Sequence, residues 1–134
     1  SRSTTIRRMA IVRFCGTAPP AGLGGRVTPI PSLARHSGGN PSVLWNTFLK
    51  RCVMVWHRWE GDLWISTSEN LTDWSPPKRL LAKPSRRGRV LYPTLIGESD
   101  LVAGQTVMLL YADFPDGRLP DRRFLAREIV FRKK

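Results

Sequence analysis

The residues able to do chemistry are few. Ten carboxylates, two histidines (His36 and His57), two cysteines (Cys15 and Cys52) and five tryptophans hold most of the options in a chain of 134 residues. Two carboxylates roughly 5–10 Å apart across a bond let one donate a proton while the other activates water or attacks. His57, at the end of an apolar run, can act as acid, base or ligand, or simply close a hydrogen bond at a strand end. Trp59, in the charged stretch Arg58-Trp59-Glu60-Gly61, presents a flat apolar face with an N–H at its edge. Such a ring stacks on a sugar or caps a core.

Other chemistries lack their spacing. No Cys/His pattern suits zinc, and no phosphate loop, nucleophile elbow or dinucleotide fingerprint is present, so no cofactor or metal is expected. Asn70-Leu71-Thr72 matches the glycosylation sequon. Two cysteines cannot form a disulfide framework. Each is expected as a small buried thiol, a single bridge being the alternative.

Charge is the anomaly. Twenty-two Lys+Arg against ten Asp+Glu give +12, and 17 of the cations are arginine. That balance suits an anionic partner and keeps nucleic acid open as one. The clusters Arg7-Arg8, Arg86-Arg87-Gly88-Arg89, Arg122-Arg123 and Arg132-Lys133-Lys134 are, however, scattered over termini and loops. They do not alternate with aromatics, and no nucleic-acid module is recognisable. No apolar run approaches the ~18 residues of a spanning helix, so no membrane is expected as partner. Met9–Val12 is too short for a signal-peptide core, and localisation stays open.

The elements that must position these residues are short strands. Eleven prolines and eleven glycines punctuate the chain, and no segment sustains a 3.6-residue period. Strands are expected at Arg8–Phe14, Arg26–Ile30, Pro41–Phe48, Arg51–Arg58, Asp62–Thr67, Arg79–Leu81, Val90–Ile96, Thr106–Asp113 and Leu125–Arg132, an all-β chain. A faint repeat links Pro41-Ser-Val-Leu-Trp with Pro93-Thr-Leu-Ile-Gly, each followed by a strand containing Val-Met. The prolines stand 52 apart, close to the ~40–50 residues of a four-stranded propeller blade.

In an up-and-down meander, alternate connections lie at the same end of the sheet. Arg35–Ser42, His57–Gly61, Ser85–Tyr92 and Asp113–Asp121 would then share one mouth. The ligand-binding candidates there are Asn40, Ser42, His57, Trp59, Arg89 and Tyr92, with His36 a weaker one. Glu60 and Asp113 are the carboxylates in mouth loops with apolar flanks, and so the candidates for catalysis. Asp62 is expected to pin the Gly-Asp turn.

All five tryptophans fall between Trp45 and Trp74. Pro41–Asn46, Gly61–Ser68, and Leu71 with Trp74, Pro76 and Pro77 resemble a blade of the five-bladed propeller glycoside hydrolases of the arabinanase/xylosidase and levanase-like type and their relatives. Tyr92-Pro93-Thr94-Leu95 resembles the next inner strand, and the likeness covers about residues 41–132, departing at Asn70, where relatives often carry aspartate. The resemblance implies four-stranded antiparallel blades in a partial propeller: a partial blade or arm over 1–40, one blade over 41–89 and a second over 90–134. It implies a sugar at the mouth, with Trp45, Trp56, Trp64 and Trp74 as inter-blade packing.

The family's essential carboxylates lie mainly in earlier blades and match nothing here. The resemblance therefore implies a glycosidase-like fragment, non-catalytic alone, that binds carbohydrate or a similar polar ligand. The alternatives are a basic nucleic-acid-binding protein and a glycoside hydrolase whose site is completed by another copy. A propeller needs about four blades or more to hide its edges. Open sheet edges therefore predict a homo-oligomer or a fragment of something longer, with a closed barrel or sandwich of eight or nine strands as the rival architecture.

Overall fold

A computed structural model of the chain describes residues 30–36 and 38–134. Its strands are β1 (Gly38–Asn46), β2 (Arg51–Arg58), β3 (Leu63–Ser68), β4 (Lys78–Leu81), β5 (Arg89–Ile96), β6 (Val102–Ala103), β7 (Thr106–Phe114) and β8 (Arg123–Val130). Two 3-10 turns, Pro31–Leu33 and Leu119–Asp121, complete the regular structure, and no α-helix occurs among the described residues. The strand expected at Arg8–Phe14 lies outside the described residues. So does the one at Arg26–Ile30, apart from Ile30 itself.

The fold is all-β and partly propeller-like. One sheet has the order β4-β3-β2-β1-β6 and the other β5-β7-β8. β1 to β4 form an antiparallel meander, and β5, β7 and β8 repeat its first three strands. Each strand expected from Pro41 onward is present within a few residues of its expected ends. β6 is the addition. Between β5 and β7 the chain reaches back to pair Val102 and Ala103 in parallel with Trp45 and Asn46. Two residues are too few to show a period, so this hook has no sequence signal.

Hydrophobic patterning explains the layers. In β2 every residue from Cys52 to His57 is buried, because both faces of this central strand are covered. Val53 and Val55, with Leu44 and Leu63, meet Val90, Leu95, Val107, Leu109 and Tyr111 of the second sheet. Truncating one of these, such as Leu63, removes contacts worth about 2–5 kcal/mol. On the opposite face, Cys52, Met54, Trp56 and Trp74 cluster with Trp45, Trp64 and Leu71 beneath Ile30 and Leu33. The four packing tryptophans thus gather on the side of the meander turned away from the second sheet, not between the two sheets. Cys52 is a free, buried thiol, and burial raises its pKa; Cys15 lies outside the described residues.

Asn46 fixes the far end of the meander. It is fully buried, donates from Nδ2 to the Gly104 carbonyl at 2.7 Å, and accepts at Oδ1 from Phe48 and Leu49 N–H. One side chain therefore shapes the β1–β2 turn and tethers the hook.

Candidate ligand-binding mouth

β2 delivers His57 to the space between the sheets. Residues 53, 55 and 57 share one face, so the imidazole follows Val53 and Val55 inward and has no exposed surface. A buried imidazole needs a hydrogen-bond partner, and β5 provides it. The β5–β7 ladder shifts register between Leu91 and Thr94, with Tyr92 at φ +56°. There the Tyr92 N–H donates to His57 Nδ1 at 3.0 Å. Leu95 N–H donates likewise to Ser42 Oγ at 3.0 Å. Ser42 and His57 therefore join the sheets by side chain to backbone.

The bond at Nδ1 assigns the ring proton to Nε2. Desolvation holds the His57 pKa below its ordinary 6.5, so the ring is neutral near pH 7. Its Nε2–H has no hydrogen-bond partner and no contact with solvent. A methyl group on Gly39 would lie 3.2 Å from Nε2 and 3.2 Å from Cη2 of Trp59, so the donor faces a narrow gap between these two residues. The Trp59 ring stands edge-on to the imidazole with centroids 5.1 Å apart, and Tyr92 does the same at 5.3 Å. Trp59 is 64% exposed and Tyr92 49%. Two wet aromatic rings therefore border one buried, unsatisfied donor. This grouping of imidazole, indole and phenol is called the cup.

The turn that presents Trp59 is tied to the second sheet. Gly61 takes φ +100° and accepts the Val90 N–H at 2.8 Å. A Cβ there would sit 2.6 Å from Cγ of Arg89, so the close approach requires glycine. Arg89 is exposed and flanks this turn. Asn40 is exposed at φ +52°, next to Gly39 at the rim. Ser42 is engaged between the sheets rather than presented to the mouth. His36 belongs to the tryptophan cluster: its ring lies 4.9 Å from Trp64, and its carbonyl accepts from Trp56 Nε1.

Each carboxylate candidate is held by its own arginine. Exposed Glu60 accepts two bonds from Arg58, at 3.2 and 2.9 Å. A hydrogen bond from its own backbone, then Arg58, pulls its pKa down. A general acid near neutral pH needs a shift in the opposite direction. Asp113 is buried on β7 and accepts Arg123 Nε at 2.8 Å.

Two features of the structure carry little signal in the sequence. Gly39 is one, legible only as the second glycine before Asn40-Pro41. The other is a polar depression of about 270 Å³ formed by Arg51, Glu69, Asn70 and Asp73 at the far end of the meander. Its groups already satisfy one another, through Arg51–Glu69 at 2.7 Å and Asn70–Asp73 at 2.6 Å. Among the described residues, no group of three or more His, Cys, Asp and Glu could hold a metal ion. Compared with family models, with curated proteins and with solved structures, the chain matches none of them.

Proposed function

We propose that the chain is a glycosidase-like propeller fragment that binds carbohydrate, or a similarly polar ligand, at the cup of His57, Trp59 and Tyr92, without hydrolysing it alone. The observation that carries this reading is the unpartnered His57 Nε2–H beneath two exposed aromatic rings. A buried donor with no acceptor costs about 1–3 kcal/mol, which a ligand hydroxyl would recover. Trp59 would turn aside from Gly39 to uncover the donor and offer its face to the ring, the usual division between stacking and a polar handle. Asn40 at the rim adds an amide able to pair with a second hydroxyl.

Glu60 and Asp113 neutralise arginines in this reading and perform no proton transfer. Copies of the chain assemble through the open side of the β5-β7-β8 sheet, and each contributes its cup to a larger mouth.

A glycan array with the intact chain tests the proposal, followed by titration of any bound sugar against Trp59→Ala and Gly39→Ala. The first removes the platform and the second fills the gap. Each should weaken binding at least about tenfold, the order of one stacking or polar anchor. No sugar bound at millimolar concentration, or binding unchanged in both variants, would overturn it.

A further inference from the structure

The basic loop 83–88 and the β7–β8 loop, far apart in sequence, are fastened together beside the cup. Ser85 Oγ donates to the Pro115 carbonyl at 2.7 Å and accepts the Gly88 N–H at 2.8 Å. Gly117 lies so close to the Arg87 carbonyl that a Cβ on it would come within 2.3 Å. Lys83 Nζ caps the Arg86 carbonyl at 3.0 Å, so even the backbone of this loop is held by a cation. Arg86 and Arg87 thereby stand beside the loop carrying Arg118, at the end of the molecule that also holds Trp59 and Arg89.

Over residues 83–89 and 115–122 six cations (Lys83, Arg86, Arg87, Arg89, Arg118 and Arg122) stand against two carboxylates, Asp116 and Asp121, so the patch keeps an excess of positive charge. Glu60 is taken by Arg58, Asp113 by Arg123, and Asp116 Oδ1 accepts the backbone N–H of Arg118. Among the described residues, Arg86, Arg87, Arg89 and Arg118 form no ion pair. Like charges held together on tethered loops repel, at a cost that an anion would relieve. Guanidinium forks match carboxylates in bidentate fashion. The aromatic supply is limited: Phe124 is exposed but carries the Arg122 guanidinium over its ring at 5.8 Å. That leaves Trp59 and Tyr92 as a single platform, where single-stranded nucleic acid asks for successive stacking surfaces along a groove.

We infer that the cup's ligand is an acidic polysaccharide, one ring seated at His57, Trp59 and Tyr92 and carboxylates of neighbouring rings paired with Arg86, Arg87 and Arg118. This rests on the reading of the cup as a sugar site and specifies the sugar's charge.

Calorimetric titration of the intact chain with oligogalacturonate, alginate oligomers and hyaluronan fragments, each beside its methyl ester, separates the two claims. Esterification keeps the rings and removes the charge. At least one acid should bind about tenfold more tightly than its ester at low salt, and the advantage should shrink above about 0.5 M, where the screening length falls to a few ångströms. Arg86→Ser with Arg87→Ser should abolish the preference while the ester still binds, and Trp59→Ala should lose both. Equal affinity for acid and ester would overturn the charge inference and leave the sugar site standing. If neither form of any probe binds, the sugar site falls and the inference with it. Tighter binding of a single-stranded RNA oligomer than of every acid would overturn it in favour of a nucleic-acid surface.

Discussion

Asn40 and Tyr92 occupy the same position in two successive sheets. Each has a positive φ, +52° and +56°, each precedes a proline, and each sits at a register shift in its inner strand. Asparagine tolerates this region, but a bulky aromatic residue there is an outlier costing about 1–3 kcal/mol. Tyr92 holds it because its N–H is bound by His57 Nδ1 and its ring lies against the imidazole. Backbone strain and the cup therefore share a cause.

Tyr92→Gly separates the two. Glycine adopts the same φ without penalty, which offsets the loss of a ring that is half in solvent. Thermal unfolding should move by no more than a few degrees, while sugar affinity falls at least about tenfold. A large fall in melting temperature with intact binding would mean that the ring is structural only.

His57 makes stability depend on pH. Its folded pKa lies below the unfolded value of 6.5, so the unfolded chain takes up the proton first as pH falls. The stability from this group is complete above pH 6.5 and declines as pH drops through that value toward the folded pKa. His57→Asn keeps an acceptor near the Tyr92 N–H but cannot titrate. Urea midpoints between pH 7.5 and 5.5 should therefore fall more in the parent than in the variant. Parallel profiles would contradict a neutral, buried ring.

The two mouth carboxylates should behave differently under neutral substitution. Asp113→Asn weakens a buried charge-assisted bond to Arg123 and should cost about 1–3 kcal/mol in denaturant unfolding. Glu60→Gln loses an exposed, solvent-screened pair and should leave the denaturant midpoint unchanged. Any glycosidase activity in the parent that vanishes in both variants would revive the alternative of a hydrolase completed by another copy.

Ile96, Met108, Leu110, Phe124 and Val130 are exposed on the face of β5, β7 and β8 opposite the core. That apolar face adjoins the open edge of the sheet, and the proposed assembly with a second copy would cover it. Sedimentation should give a mass above one chain, and Met108→Lys with Leu110→Lys should return it to one chain without changing the circular dichroism. A parent that sediments as a single species of one chain would end the assembly proposal.

Strands were legible because their hydrophobic runs are bounded by proline and glycine. Arg51–Arg58 was readable to its ends, being apolar on both faces and closed by arginines. The repeat was legible through Pro41 and Pro93, whose positions mark the two register shifts. Ser42 and His36 show where that legibility stops. Both fall in stretches that the meander assigns to the mouth. Yet Ser42 turns inward to satisfy Leu95, and His36 folds onto Trp64, since contacts across a sheet face leave no local pattern. His57, Trp59 and Tyr92 do converge, as chain topology alone requires for strand ends at a common edge. Gly39 gives only the absence of a side chain, which a sequence does not distinguish from a turn.

The hook at Val102–Ala103 has a consequence for how the molecule comes apart. Trp45 and Thr47 donate to the carbonyls of Leu101 and Ala103, each at 2.8 Å, so the innermost edge of the first meander is completed by a segment lying between two strands of the second. Neither half owns all its backbone bonds. Melting should consequently be a single cooperative event, with amide protons of Trp45 and Val107 exchanging at matching rates, and excision of residues 90–134 should leave the first half unable to persist by itself.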